Sequence, residues 1–126
     1  MKALMVKAAK NSKTFIFQII ISQEMPIQGD LYKWNEESVN AIAEKAGVYA
    51  FFDEKKNLIY IGEATNLRER FQGYWRTNFS KDPCKKATKS YRREFTELHK
   101  DREKELLEEY KRNNDGKLPK CNDILA

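Results

Sequence analysis

Residues 47–62 of the chain read GVYAFFDEKKNLIYIG. Apolar and aromatic residues dominate positions 48–52 and 58–61, and a polar segment at 53–57 joins the two runs. Runs of this kind are typical of strands, and a brief polar connection between two of them is typical of an antiparallel hairpin. The stretch therefore predicts a β-hairpin that ends at Gly62.

A helix is predicted on each side of this hairpin. Before it, Asn35 is followed by two acids, which favours a helix start, and apolar residues then recur at helical spacing until Gly47. After it, Asn66 and Glu69 have the spacing of a capping box. This second pattern predicts a helix over about residues 67–76.

The remaining segments complete a small mixed fold. We expect a third strand at about 91–98, a last helix at about 101–112 and an extended tail that begins near Pro119. Residues 15–21 are rich in β-branched and aromatic side chains and predict one more strand. We divide the chain into an N-terminal extension, residues 1–45, with a strand and a helix, and a core domain, residues 46–126, in one compact unit.

Composition places the chain among globular proteins that carry an excess of positive charge. Its formal net charge is +5 at pH 7, and we find neither a signal-peptide pattern nor an apolar run long enough to span a bilayer. We therefore expect a cytoplasmic protein with no membrane partner. Cys84 and Cys121 are too few for a disulfide framework or a zinc site, so we expect reduced thiols.

Basic residues are concentrated between positions 81 and 93. They are Lys81, Lys85, Lys86, Lys89, Arg92 and Arg93, against the single acid Asp82. Such a patch suits a nucleic-acid backbone, because each neutralised phosphate releases condensed counterions. A solvated, mobile loop is the alternative interpretation.

Several common chemistries are excluded by residue type. The chain has one histidine, His99, so neither a histidine-based metal cluster nor a Ser-His-Asp triad can be assembled. No Gly-x-x-x-x-Gly-Lys phosphate loop and no dinucleotide fingerprint occurs. His99 alone is more typical of a surface residue than of a ligand. Tyrosines, arginines and acids therefore remain as candidates.

Two charged residues border apolar stripes of the predicted helices. Arg70 lies one turn from Leu67 and one turn from Tyr74, where a guanidinium either binds an anion or rests its stem on the core with its head in water. Glu103 extends the stripe of Leu106 backward by one turn. A carboxylate there pairs with a cation, binds a metal or favours the helix N-terminus through the dipole.

Five short elements in sequence order resemble the signature of the GIY-YIG nuclease family. They are Gly47-Val48-Tyr49, then after ten residues Tyr60-Ile61-Gly62, then Arg70, then Glu103 with Leu106, Leu107 and Tyr110, and finally Pro119-Lys120-Cys121-Asn122. Val48 replaces the isoleucine of the signature, and Glu63 stands where several relatives carry a small or basic residue. The resemblance extends over about residues 46–123.

The resemblance implies an α/β (α+β) fold with a small antiparallel three-stranded sheet flanked by helices. It also implies hydrolysis of phosphodiesters with one divalent metal per active site, Mg²⁺ or Mn²⁺. In that scheme Glu103 holds the metal, with Glu108 as the fallback, and Arg70 stabilises the phosphorane. Tyr49 is the general base, while Tyr60 and Tyr74 orient water and phosphate.

Two further sets of residues complete the predicted site. Gly47, Gly62 and Asn122 would support its structure. The nucleic-acid-binding set would be Lys85, Lys86, Lys89, Arg92 and Arg93.

The predicted activity is that of a DNA endonuclease, and two alternatives compete with it. One is a non-catalytic nucleic-acid-binding module derived from the same fold, and the other is a structural or protein-interaction domain. We find no appended helix-turn-helix or zinc finger, so we expect limited sequence specificity, with targets chosen by shape, oligomer or partner. RNA as substrate, the oligomeric state and a role in repair, restriction or mobile elements stay open.

Overall fold

A computed structural model describes residue 27 and residues 29–123 of the chain. Its strands are Tyr32–Lys33, Gly47–Phe52, Leu58–Ala64 and Ser90–Phe95, named β1 to β4 in that order. Its helices are Glu36–Asn40, Leu67–Thr77 and His99–Arg112, named α1 to α3. A short 3₁₀ helix, Pro83–Ala87, precedes β4.

The strands form one antiparallel sheet in the order β1–β4–β2–β3. The predicted hairpin is confirmed, with Tyr49 of β2 opposite Gly62 of β3. Pairing continues past Gly62 to Ala64, so the predicted end of the hairpin is two residues too early. The α/β class is also confirmed, but the sheet has four strands rather than three, because β1 adds a two-residue strand beside β4.

Both predicted helix starts around the hairpin are confirmed by their caps. The side chain of Asn35 accepts a hydrogen bond from the Ser38 amide at 2.8 Å, and that of Asn66 accepts one from the Glu69 amide at 3.0 Å. These bonds satisfy amides that the first turn of a helix leaves without partners. The prediction that the first helix runs to Gly47 is wrong, because α1 ends at Asn40 and Gly47 begins β2.

The last two elements differ from prediction only at their ends. β4 stops at Phe95 rather than near 98, and α3 begins at His99. The predicted strand at 15–21 lies outside the described residues. The boundary between an extension and a core domain at residue 45 stays a prediction. Among the described residues, no helix is long and apolar enough to cross a membrane.

The sheet is covered on both faces. Tyr49 and Phe51 of β2 pack in one cluster with Leu67 and Phe71 of α2. The alternate residues Val48, Ala50 and Phe52 pack in a second cluster with Leu106 of α3. Successive side chains of a strand point to opposite faces, so β2, which is buried along its whole length, contributes to both clusters.

A disulfide joins Cys84 to Cys121, so the prediction of reduced thiols is wrong. The two residues are separated by 37 positions, but the fold brings them together. Cys84 lies in the 3₁₀ helix, and the Cys121 amide donates to the Ile59 carbonyl of β3 at 2.8 Å. The tail after α3 thus returns along β3 to the segment that carries Cys84. Sequence spacing alone does not reveal this return.

Candidate active site

Two phenols meet where β2 packs on α2. The Oη atoms of Tyr49 and Tyr74 are 2.9 Å apart, within a hydrogen bond. Arg70, one turn before Tyr74, donates from Nη1 to Tyr49 Oη at 3.5 Å and to the Glu63 carbonyl at 3.1 Å. The structure therefore brings together three of the predicted catalytic residues, with Arg70 at the surface and Tyr49 behind it.

Tyr60, the fourth predicted catalytic residue, lies beside this pair on β3. Its ring centroid is 6.0 Å from that of Tyr49. Gly62 makes room for the close packing, because a Cβ at this position would lie 2.6 Å from both Cζ and Oη of Tyr49. Gly47 is equally restricted, since its Cβ would lie 2.3 Å from the Glu94 carbonyl oxygen. Both glycines are thus needed for close approach rather than for an unusual backbone angle.

Burial dominates the titration of the two hairpin phenols. It raises the pKa of Tyr49 well above the ordinary tyrosine value, Tyr74 and Tyr60 raise it further, and Arg70 lowers it in part. It also raises the pKa of Tyr60, against which Lys85 acts in the opposite direction. Tyr49 is wholly inaccessible to solvent, at 0% exposure. In this arrangement Tyr49 has no direct contact with water.

Lys85 is predicted from the sequence to bind nucleic acid, but in the structure it is buried beside the phenols. It is only 5% exposed, and its ammonium lies 3.8 Å from the Tyr60 ring centroid. Nζ donates to Tyr74 Oη at 3.2 Å and to Asp82 at 3.3 Å. Burial lowers the pKa of Lys85, but Tyr74, Tyr60 and Asp82 more than offset it, so the ammonium stays charged at neutral pH. A buried lysine requires such partners.

Glu103 lies on α3, close enough to Arg70 for the guanidinium to act on its carboxyl. Burial, followed by the charge of Glu63, raises the pKa of its carboxyl, while Arg70 and His99 lower it. Glu63 itself is paired with His99, whose Nδ1 lies 2.6 Å from Glu63 Oε1. Glu103 is half-buried, and Arg70, His99 and Glu63 are all close enough to act on its carboxyl. The fallback ligand, Glu108, is exposed.

The other predicted nucleic-acid contacts are divided between open and occupied side chains. Lys86 and Lys89 are exposed. Arg92 donates to the Gly29 carbonyl, and the Arg93 guanidinium lies between the rings of Tyr32 and Phe95 at 4.6 and 4.8 Å. The predicted patch is thus not one continuous surface of free cations.

Asn122 closes the outer edge of the sheet. Its Oδ1 accepts from the Ile61 amide and its Nδ2 donates to the Ile61 carbonyl, both at 2.9 Å. The amide side chain thereby replaces a neighbouring strand beside β3, one residue after Tyr60. Asn122 holds the strand that carries Tyr60 and makes no hydrogen bond to the phenols in the described part of the chain.

A cavity of about 380 Å³ opens beside α2. Arg70 and Tyr74 line it from the helix, and Lys81 and Asp82 line it from the segment after the helix. Tyr49 is absent from its wall. The cavity thus gives solvent or a ligand access to Arg70 and Tyr74, with Tyr49 one hydrogen bond deeper.

Sequence reasoning missed two features of this region. One is the burial of Lys85, which sequence patterns cannot distinguish from the exposure of Lys86 beside it. The other is the pairing of Glu63 with His99, which are separated by 36 positions. For the pairing of Glu63 with His99, the one signal in the sequence was an acid at position 63, where several relatives carry a small or basic residue.

Comparison with known proteins agrees with the geometry. Residues 45–113 match the family described as the UvrC-like GIY-YIG domain. The UvrABC system protein C of Bartonella quintana (strain Toulouse) is 40% identical over 76 residues, which are 58% of this chain and 11% of the relative. That of Caldanaerobacter subterraneus subsp. tengcongensis is 33% identical over 72 residues, 57% of this chain and 12% of the relative.

The chain thus corresponds to about a tenth of the length of these curated relatives. The matched residues include both hairpin strands, α2 and nearly all of the described site, because Tyr49, Tyr60, Arg70, Tyr74 and Glu103 all lie between 45 and 113. Family match and geometry concern the same residues, and the chain belongs to the UvrC-like GIY-YIG domain family.

Proposed function

We propose that this chain is the catalytic domain of a metal-dependent DNA endonuclease. The observation that carries the proposal is that Arg70 interacts with the buried phenol Tyr49 and also with Glu103. Its guanidinium donates to Tyr49 and acts on the carboxyl of Glu103, which comes from the opposite face of the sheet. Membership in the family supports the same activity.

Arg70 is suited to the charge that develops during phosphodiester hydrolysis. It lines the cavity, and a planar guanidinium matches two non-bridging phosphate oxygens. Attack on phosphorus increases the negative charge on those oxygens, so a donor fixed by Tyr49 and by the Glu63 carbonyl stabilises the transition state more than the ground state. One of the phenols would accept the proton of the attacking water.

Glu103 fits a hard divalent cation. Burial and the charge of Glu63 both disfavour the ionised form of the Glu103 carboxyl and raise its pKa. A bound cation would favour the ionised form. Within the described part of the chain, no group of three or more His, Cys, Asp or Glu side chains could hold a metal. A single carboxylate with water and phosphate oxygens as further ligands is the pattern of Mg²⁺. Such an ion, or Mn²⁺, would act as a Lewis acid on the phosphate.

Cleavage of plasmid, branched DNA and RNA with Mg²⁺, Mn²⁺ or EDTA tests the proposal. We expect nicking of DNA that EDTA abolishes, and a fall of about 10²–10³-fold in Arg70→Ala with DNA affinity largely kept. Arg76→Ala is the matched control, because Arg76 is an exposed arginine at the end of the same helix. Equal activity of Arg70→Ala and wild type would contradict the assignment.

The metal assignment has its own discriminating pair. Glu103→Gln should lose metal-dependent cleavage and weaken the binding of Mn²⁺ measured by calorimetry, whereas Glu108→Gln should do neither. The opposite outcome would identify Glu108 as the metal ligand. DNA binding without any cleavage in wild type would favour the non-catalytic binding module instead.

A further inference from the structure

The hydrogen bonds around the phenol pair fix the direction of their protons. A phenol oxygen donates one hydrogen bond and accepts up to two, whereas ammonium and guanidinium groups only donate. Tyr49 Oη has two partners among the described residues, Arg70 Nη1 and Tyr74 Oη. Arg70 cannot accept. Within the described part of the chain, the acceptor for the Tyr49 proton is therefore Tyr74 Oη.

Tyr74 Oη consequently accepts two hydrogen bonds, one from Tyr49 and one from the Lys85 ammonium at 3.2 Å. Its own O–H then has to point elsewhere. Tyr74 lines the cavity that Arg70 also lines, and at 9% exposure it reaches solvent where Tyr49, at 0%, does not. Of the two linked phenols, only Tyr74 lines the cavity.

Lys85 donates to Tyr74 Oη and is not among the residues that line the cavity. It comes from the 3₁₀ helix, and the disulfide of its neighbour Cys84 anchors that segment to the tail. Its 5% exposure leaves the ammonium poorly hydrated, so a charge on Tyr74 acts on it at low effective dielectric. The proposed function alone does not account for a lysine in this position.

We propose that Lys85 is a positioning residue that polarises Tyr74 and so makes Tyr74, rather than Tyr49, the phenol that takes the proton from the attacking water. This inference rests on the proposed function and assigns its proton acceptor. Tyr74 first loses its proton to solvent, and the phenolate is stabilised by Lys85 and by the O–H of Tyr49. Lys85 never leaves its charged state and does not touch the substrate.

The step balances without a further reactant. Tyr74 phenolate takes one proton from water as the water oxygen bonds to phosphorus. The bond from phosphorus to the leaving oxygen breaks, and that oxygen keeps the electron pair and takes a proton from solvent. Tyr74 then returns its proton to solvent. Arg70 faces the developing phosphorane throughout.

Other titratable or charged groups surround Tyr74, and they come from several elements. They are Tyr49 on β2, Tyr60 on β3, Arg70 on α2, and Asp82 and Lys85 before β4. From α3, Glu103 acts on Tyr60. Only Lys85 and Arg70 are cations among them. Arg70 donates to Tyr49 and to the Glu63 carbonyl and also interacts with Tyr74, whereas Lys85 is the buried cation of the two.

The main test replaces Lys85 by methionine, which keeps the length of the chain and removes the charge. We expect cleavage at neutral pH to fall about ten- to a hundredfold, and the rising limb of the pH–rate profile to move to higher pH. Lys55→Met is the matched control, because Lys55 is exposed in the hairpin turn. An unchanged rising limb in Lys85→Met would overturn the role of Lys85.

A second readout does not depend on nuclease activity. Carbon NMR of ring-labelled tyrosine follows each phenol with pH in the free protein, and Tyr74→Phe identifies the signal of Tyr74. In Lys85→Met this signal should move relative to wild type, because the ammonium that donates to Tyr74 Oη is gone. If wild type cleaves nothing but the shift occurs, the nuclease proposal fails while the polarisation by Lys85 stands; if the signal does not move, Lys85 serves packing alone.

Phenylalanine substitutions test the choice of phenol even if Lys85→Met does not fold. Tyr74→Phe should reduce cleavage by about 10²–10⁴-fold, the usual effect of a lost general base. Tyr49→Phe removes a donor to Tyr74 and one of the two acceptors that hold Arg70, and the Glu63 carbonyl remains, so its effect should be smaller. The reverse order would assign the proton acceptor to Tyr49.

Discussion

The two faces of the sheet are built from different side chains. The face toward α2 is aromatic, and Tyr49, Phe51, Phe71 and Tyr74 pack there with ring centroids 5.0–6.4 Å apart. The face toward α3 is mainly aliphatic, and Leu106 is the fully buried helix residue there. Aromatic packing adds to area burial, and tyrosine also brings a polar atom into the core.

This difference determines where polar and charged side chains lie on each face. On the α2 face, hydroxyls and the Lys85 ammonium lie inside the layer itself. On the α3 face the polar groups Glu63, His99 and Glu103 have no such place among aliphatic side chains and gather beside the cluster. Arg70 joins the two sets, so the proposed reaction needs both faces.

Truncating one large side chain on each face should show the largest effect on stability. Phe71→Ala should lower the free energy of unfolding by about 3–5 kcal/mol and Leu106→Ala by about 2–5 kcal/mol, because both residues are fully buried. Urea denaturation measures both. The near-ultraviolet circular dichroism of the folded protein should change more in Phe71→Ala than in Leu106→Ala, because Phe71 packs among more aromatic rings. An equal change in Leu106→Ala would contradict the division into faces.

Overfilling the aromatic face should have an intermediate effect. Gly62→Ala places a Cβ against the Tyr49 ring, and we expect a loss of about 1–3 kcal/mol in urea denaturation. Gly73→Ala is the control, because nothing lies within 4 Å of its Cβ. In the interior of α2 it should stabilise by about 0.5–1 kcal/mol. Equal stability of the two variants would show that Tyr49 has space to move.

Removing a charge beside the aliphatic face should have the smallest effect, and a favourable one. Burial and Glu63 raise the pKa of Glu103, so the folded state binds its proton more tightly than the unfolded chain. Stability then falls as pH rises from the ordinary glutamate pKa through the raised one. Glu103→Gln should therefore raise the melting temperature at pH 7 by about a few degrees, measured by calorimetry without added metal.

The gain in Glu103→Gln should disappear at a pH below the ordinary glutamate pKa, where wild type is protonated as well. Glu108→Gln, at an exposed position of the same helix, should leave the melting temperature unchanged. A lower melting temperature in Glu103→Gln would mean that its charge is satisfied by Arg70 and His99.

Local patterns predicted the elements well because their causes are local. The caps at Asn35 and Asn66 act within three residues, and the hairpin follows from its own turn. The first helix was extended too far because Ile42 is buried beyond the end of α1, and helical spacing reports burial as well as helix. The β1 pairing depends on β4, nearly sixty residues later.

The candidate site was predictable where the family pattern names it and not elsewhere. Tyr49, Arg70 and Tyr74 lie together as the resemblance implied, but their roles stay predictions. Lys85 and Lys86 are neighbours in sequence with opposite environments, and only the packing of the 3₁₀ helix decides which is buried. Long-range contacts of this kind leave no mark in the spacing of residues.

The stability and turnover of a preparation should depend on whether the disulfide between Cys84 and Cys121 is formed. It closes a loop of 37 positions, for which chain entropy gives a stabilisation of about 3–5 kcal/mol. Cys84 precedes Lys85, and Cys121 precedes Asn122, which holds the strand of Tyr60. Samples handled with and without a thiol reagent are therefore two different materials, and their melting curves and turnover should be compared only when the state of this bond is known.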